Sequence, residues 1–406
     1  METLIFKSQL QKAAELLKEG KLVAVPTETV YGIAGNGLDE NAVKDIYELK
    51  GRPELKPLSL MVSDANEIDK YCEAVPDEAR LLAERFWPGP LTIILKARDI
   101  VPQIVRAGGE TVGLRCPDHK LTLELLKLSG IPFAAPSANP SGEESPKNAD
   151  KVREYFEGKI SGIVDGGECS LGRESTLLDM SVKPYKILRQ GALSAQEIVN
   201  ALKDSMTIIG ITGGTGCGKT TGLNVLKEQG ALVLDCDEIY HELLSGSTAM
   251  QGELKSRFPE AFPEGVFERK ALGKIVFNDD EALKELNHIT HKYVSMEVDK
   301  RLEAYGLEGG KIAVIDAIEL ISSGLGDICD FTIAVTAEDE SRARRIMARD
   351  NISMEYALMR IKAQKPMSYF IENCDYFISN DGSKEQFRCR FSELIEEAKK
   401  NGRKKR

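Results

Sequence analysis

Eight consecutive residues, Gly213-Gly214-Thr215-Gly216-Cys217-Gly218-Lys219-Thr220, carry the densest chemical signal in the chain. They fit G-x-x-x-x-G-K-S/T, and Thr221 follows. Glycines let successive backbone N–H groups curl round phosphate oxygens. Lys219 brings a mobile positive charge to the β and γ phosphates of ATP, and the Thr220 hydroxyl can ligate Mg²⁺. A glycine turn without a ligand is the alternative, and the flanks argue against it. The β-branched run Thr207-Ile208-Ile209-Gly210-Ile211 predicts a buried strand before the loop. A helix over about residues 218–229 is predicted after it, with its positive end on the anion.

Carboxylates and arginines follow at useful positions. A strand over 231–234 runs into Asp235-Cys236-Asp237, and another over 311–315 ends at Asp316. A carboxylate at a strand end beside such a loop sits near the γ-phosphate, where it can activate a hydroxyl or hold metal-bound water. Residues 331–335 read as a further strand. Beyond it, Arg342, Arg345 and Arg349 share one helical face, with Arg344 beside them. They make either a solvated basic face or a lid helix that clamps phosphates, and the phosphate loop favours the lid.

With IGITGGTGCGKTT come LDCDEIYHELL, LNHITHKYV around His291, RRIMARDNIS, Gln364 and Asn380-Asp381-Gly382. In this order they resemble the dephospho-coenzyme A kinase family over nearly the whole second half. The resemblance implies transfer of the ATP γ-phosphate to the ribose 3′-hydroxyl of dephospho-CoA, with Mg²⁺. It makes Asp237 the base or hydroxyl-positioning residue, Lys219 and Arg345 catalytic, Arg349 a lid arginine, and Asn380 a neighbour of adenine. The implied fold is a parallel sheet of the P-loop nucleoside-monophosphate-kinase kind with a helical lid. Ile318 and Ser322 stand where the family has a proline and a glutamate, and Lys292 replaces the proline after His291. These departures fall where the acceptor binds. They leave open a kinase half that binds ATP and serves as scaffold or regulator.

The first half offers smaller pieces. Pro26 to Gly32 gathers hydroxyls, the Glu28 carboxylate and a phenol after a predicted strand at 22–25, as a polar site or as a capped turn. Lys50-Gly51-Arg52 closes a predicted helix. The pair can bind triphosphate as a point charge plus a fork, or be a solvated helix end with C-terminal cations. Arg115 ends a strand, Ala135 to Gly142 is a rigid loop of small polar groups, Ser175-Thr176 precedes a strand, and Arg189 lies just before Gly191. In this order, over about residues 5–200, they resemble the YrdC/Sua5 family, the threonylcarbamoyl-AMP synthases of tRNA modification. Its K-x-R and S-x-N set stands here as Lys50, Arg52, Ser137 and Asn139. The resemblance implies a twisted mixed α/β sheet with a concave cavity. It also implies joining of L-threonine, bicarbonate and ATP for N6-threonylcarbamoylation of adenosine 37. Lys50 and Arg52 would then be catalytic; Ser137, Asn139, Ser175 and Arg189 would bind ATP; Thr29, Tyr31 and Arg115 would bind threonine. A cavity of this kind can also hold double-stranded RNA or tRNA without chemistry, which is the competing reading. Other proteins of the same modification pathway are expected partners.

These sites need two α/β scaffolds, and 406 residues suit two cores. The boundary is expected at 203–206: residues 1–203, residues 206–400, and a basic disordered tail at 401–406. The net charge is −10; residues 1–205 hold 26 Lys and Arg against 31 Asp and Glu, so each half carries −5. Neither half binds nucleic acid through bulk charge. No apolar run reaches the roughly 18 residues of a membrane span, and no secretory signal pattern opens the chain, so a cytoplasmic protein with no membrane partner is expected. Eight scattered cysteines read as reduced thiols.

Overall fold

The computed structural model describes residues 2–277 and 279–401. Of the expected tail, 402–406 lie outside the described residues. The chain divides into two compact units, 1–205 with 307–309, and 206–306 with 310–406.

In the first unit the strands are β1 (Leu4–Phe6), β2 (Val23–Val25), β3 (Gly32–Asn36), β4 (Ser59–Met61), β5 (Leu91–Lys96), β6 (Thr111–Arg115), β7 (Phe133–Ala134), β8 (Gly162–Val164), β9 (Thr176–Asp179) and β10 (Lys186–Arg189). They form one sheet in the order β1-β8-β2-β3-β7-β4-β6-β5-β9-β10. It is mixed: β2 pairs antiparallel with β3 and parallel with β8, while β5 pairs antiparallel with β6 and parallel with β9. Alternation decides which side chain goes to which core. Val23 and Val25 join Leu10, Ala13, Ala14 and Leu17 of the helix Leu10–Lys18 on one face, and Ala24 joins Val43, Ile46 and Tyr47 on the other. The spacing of those four helix residues is an apolar stripe of period 3.6. Arg115 is the last residue of β6 and Arg189 of β10.

In the second unit β11 (Thr207–Thr212), β12 (Leu232–Asp235), β13 (Ile312–Asp316), β14 (Phe331–Thr336) and β15 (Tyr376–Ser379) form an all-parallel sheet, order β12-β13-β11-β14-β15. Both faces are covered, as parallel sheets require. Ile209 and Ile211 pack with Leu223 and Leu226 of the helix Lys219–Glu228 and with Phe387 and Phe391 of the helix Lys384–Lys400. Ile208 and Ile315 pack against Val294, Val298 and Leu302 of the helix Asp280–Leu307. The helices Asp339–Asp350 and Met354–Lys362 make the lid, with their own small core of Ala343, Ile346, Ala357 and Ile361.

The expected strand 231–234 ends at Asp235, and helix begins at Cys236, so Asp237 lies in the first turn of a helix. The cause is local: Asp235 Oδ1 accepts from the N–H of Asp237 (2.9 Å) and Glu238 (3.1 Å), a side-chain N-cap. Among the described residues no helix is long and apolar enough to cross a membrane, and the eight cysteines are free thiols.

Candidate active sites

One cavity of the first unit is lined by Thr29, Tyr31, Arg52, Arg115, Ser137, Glu174, Ser175 and Arg189, among others. Arg52, Arg115 and Arg189 thus converge from three distant stretches of chain. Arg52 Nη2 donates to Pro57 O (3.1 Å), and burial, reinforced by Arg189, lowers its pKa. Lys50 is not in the lining. Its buried ammonium donates to the carbonyls of Ser137 and Asn139, bracing the loop that carries both. The Asn139 amide Nδ2 holds Pro140 O (2.9 Å) and Glu143 O (2.7 Å) of the same loop. Gly51 between the two cations has φ 56° and caps the helix Glu40–Lys50, with open space where a Cβ would stand. Its glycine serves the left-handed cap, and a close ligand approach is not what requires it.

Arg115 is buried, and its Nη2 reaches Glu28 Oε1 (2.7 Å) and Thr29 Oγ1 (2.9 Å). Glu28 Oε2 accepts from Asp118 N (3.0 Å), so both oxygens of the carboxylate are engaged. Tyr31 lines the cavity, but its hydroxyl donates to Gly167 O (2.8 Å) and accepts from Gly166 N (3.1 Å), and burial pushes its pKa up to about 12. Ser175 Oγ meets Thr92 Oγ1 at 2.8 Å. Sequence reading misses Glu174 and places Glu28 only in a polar run after the strand, without its partner Arg115. Glu28 pairs with a residue 87 positions away, and Glu174 borders Ser175 without a motif of its own.

Burial, and Arg52 after it, lowers the Lys50 pKa to about 8, against roughly 10.4 in an unfolded chain. Between those values the unfolded chain holds more protons at Lys50, so this residue makes stability rise with pH across that window. Over the same range the ammonium that grips the two carbonyls is lost. Wild type should gain stability relative to Lys50→Met between pH 7.5 and 9.5 in denaturant melts. A flat or opposite difference would remove Lys50 from this role.

In the second unit the loop after β11 is held by packing from outside. A Cβ on Gly213, whose φ is 140°, would lie 2.2 Å from Val335 O, and one on Gly218, φ 88°, would lie 2.1 Å from Asn380 Nδ2. Only glycine permits both the dihedrals and the approach. Arg342 is buried, with Nε on Thr215 O (3.1 Å) and Nη2 on Gln364 Oε1 (3.0 Å). Arg345 Nη1 reaches the carbonyls of Gly216 and Cys217, both at 3.2 Å, and its Nη2 donates to Asn380 O. Asn380 Nδ2 donates to Cys217 O at 2.9 Å. The lid helix therefore steadies the loop through Arg342 and Arg345, while Arg349 pairs with Asp350.

Lys219 Nζ donates to Gly213 O (3.0 Å) and stands 3.9 Å from Asp316 Oδ1. That Oδ1 is buried with no hydrogen-bond partner. Burial, aided by Asp235 and Asp237 and opposed by Lys219, raises the Asp316 pKa to about 6. Asp237 and Thr220 are exposed. In the turn after β13, the Ser322 hydroxyl donates to the Glu319 carboxylate.

Residues 15–191 match the Sua5/YciO/YrdC family model, described as telomere recombination, and residues 207–386 match the dephospho-CoA kinase model. A Methanocaldococcus jannaschii relative is 37% identical over 196 residues, which are 47% of this chain and 92% of that protein. The dephospho-CoA kinase of Geobacter sulfurreducens is 36% identical over 191 residues, 47% of this chain and 97% of that one. The chain belongs to both families, one in each half. The threonylcarbamoyl-AMP synthase of Pyrococcus abyssi is 48% identical to the Sua5/YrdC half over 190 residues, 47% of this chain, and that match spans 56% of its length. The chain thus covers little more than half of that curated relative. ATP is the substrate common to both families.

Proposed function

We propose a bifunctional enzyme. Residues 1–203 form L-threonylcarbamoyladenylate from L-threonine, bicarbonate and ATP for the modification of adenosine 37 in tRNA. Residues 206–400 phosphorylate the 3′-hydroxyl of dephospho-CoA. The observation that carries the first activity is the convergence of Arg52, Arg115 and Arg189 on one cavity. In the reaction a carbamate oxygen bonds to the α-phosphorus and the α–β phosphoanhydride breaks. Negative charge grows on the leaving pyrophosphate, where Arg52 and Arg189 can meet it. Arg115, held by Glu28, would take the threonine carboxylate with Thr29 beside it. Ser137 and Ser175 would hold nucleotide oxygens. Lys50 and Asn139 keep the 137–143 loop in place. Catalysis on this reading is positioning and electrostatics.

In the second unit the reading rests on a braced phosphate loop with two carboxylates, Asp235 and Asp316, at strand ends and a third, Asp237, in the first turn of the next helix. Gly213 to Thr221 would wrap ATP, Lys219 would reach the β and γ phosphates, and Asn380 would border the adenine. Arg345 would steady the loop during transfer, and Arg349 would approach from the lid. Mg²⁺ fits the donor set, because Thr220 offers a hydroxyl and Asp316 a buried oxygen that nothing else satisfies. The ion would neutralise phosphate charge when bound. Asp237 would draw the proton from the acceptor hydroxyl. One observation favours the alternative of an ATP-binding half without transfer: Ser322 occupies the family glutamate position and is hydrogen-bonded to Glu319. A cytoplasmic setting fits both activities, and tRNA, double-stranded RNA and other proteins of the modification pathway are the macromolecular partners of this proposal.

Full-length protein should be incubated with ATP and Mg²⁺ plus threonine and bicarbonate, or plus dephospho-CoA, and the products identified by mass. Both threonylcarbamoyladenylate and coenzyme A are expected. Arg52→Ala should reduce only the first product, by tenfold or more. ATP binding without coenzyme A would leave the scaffold reading in place. Absence of the adenylate would end the synthase reading.

A further inference from the structure

Arg52, Arg189 and Glu174 all line the first-unit cavity, while Lys50 lies outside the lining, on the carbonyls of Ser137 and Asn139. Arg189 Nη1 is ion-paired with Glu174. Burial lowers the pKa of Lys50 and Arg52, and the Glu174 charge opposes that lowering in both, so their ammonium and guanidinium lie in its field. We propose that Glu174 is an internal competitor for the phosphate-binding arginines, a carboxylate that holds Arg189 until a polyphosphate takes its place. The proposal rests on reading the cavity as an ATP site.

The geometry separates what can move from what cannot. Arg189 Nε and Nη2 both donate to Ser175 O, at 3.2 and 3.0 Å. That carbonyl is fixed, because the chain at Glu174 and Ser175 is pressed against the turn at Gly191. A Cβ on Gly191 would lie 2.3 Å from Glu174 O, and Ala192 N donates to the same oxygen at 2.9 Å. Gly191 N donates to Thr176 Oγ1 (2.9 Å), closing the turn from the other side. One edge of the guanidinium, Nε with Nη2, is thus committed to a backbone carbonyl, and Nη1 is left for an anion. Glu174 fills it from a half-exposed side chain, with side-chain exposures of 45% for Arg189 and 39% for Glu174. Its other side-chain hydrogen bond among the described residues is from Ser145 Oγ at 3.4 Å, a weak tether. A phosphate with two charges and three acceptor oxygens outcompetes a tethered carboxylate for such an edge. Its departure as pyrophosphate is then assisted by the carboxylate's return. The role is that of a positioning residue, acting through Arg189.

An exposed ion pair of this type is weak, so the expected effect is moderate. In Glu174→Gln the KM for ATP in threonine- and bicarbonate-dependent adenylate formation should fall about two- to fivefold. Inhibition by pyrophosphate should tighten by the same factor, kcat should not rise, and the KM should depend more steeply on KCl. Glu174→Asp keeps the charge and should stay near wild type. The same fall in Asp as in Gln would show that shape is at work and would overturn the proposal. So would an unchanged or raised KM for ATP in Gln, or a raised Mg²⁺ requirement, which would give the carboxylate to a metal. A calorimetric titration with inorganic pyrophosphate keeps this test apart from the synthase reading. The second unit is common to wild type and variant, so a difference between their isotherms belongs to the first. Tighter binding in Gln supports the competitor even if no adenylate forms, and identical isotherms refute it.

Discussion

Replacing Asp237 by Asn should lower phosphorylation of dephospho-CoA by about 10²–10⁴-fold and leave ATP affinity close to wild type. Three carboxylates stand at the carboxyl edge of the second sheet, and the structure assigns them different states. Asp235 is engaged as the cap of the helix Cys236–Gly246. Asp316 is half-buried with its Oδ1 enclosed, its pKa is raised to about 6, and it faces Lys219. Asp237 is exposed, and among the described residues its carboxylate takes part in no hydrogen bond, which leaves it open to an incoming hydroxyl. Single-turnover phosphorylation, with ATP affinity measured separately, tests the assignment. Full activity in Asp237→Asn would move the base elsewhere. A matching loss in Asp316→Asn with weakened ATP binding would be a different effect, traceable to Lys219.

Arg115→Ala should destabilise the first unit by about 3–5 kcal/mol, the usual result of leaving one partner of a buried pair behind. Both partners are sequestered, with side-chain exposures of 8% for Arg115 and 7% for Glu28. The variant strands a carboxylate whose remaining donor among the described residues is Asp118 N. Adding Glu28→Gln should restore much of the stability, since the stranded charge is then gone. It should not restore threonine-dependent adenylate formation, because the guanidinium proposed to take the threonine carboxylate is gone. Denaturant melts of the two single variants and the double variant, read as a cycle, decide this. Additive losses would mean that the pair is not the unit of stability.

How much of this could be read from the sequence follows from distance along the chain. The phosphate loop is a continuous octapeptide, so its flanking strand and helix were legible to within a residue or two. Lys50 and Arg52, and Ser137 and Asn139, were legible as residue types. That the Lys50 ammonium grips the Ser137 and Asn139 carbonyls was not, because the contact spans 87 residues and depends on β3 and β7 pairing. Tyr31 reads as a binding-site phenol, yet its hydroxyl is taken by Gly166 and Gly167 across the sheet. The arginine face of the lid was visible as a period, but spacing cannot say that Arg342 would be buried against Thr215 and Gln364. The position of β8 between β1 and β2 was likewise out of reach, since it is set by chain 140 to 160 residues away.

The bracing of the phosphate loop also fixes an order of assembly. The octapeptide ends at Thr220, but the residues that hold its shape arrive much later: Val335 from β14, Arg342 and Arg345 from the lid helix, and Asn380 just after β15. On a growing chain, synthesised from the N-terminus, residues 206–330 can emerge and collapse with every motif residue already in place. They would still lack the walls that give the loop its curvature. Pairing of β11 with β14 bridges more than 120 residues, and parallel contacts of such separation form slowly. For most of the synthesis of its second half, the nascent protein therefore carries a complete nucleotide signature without a nucleotide site.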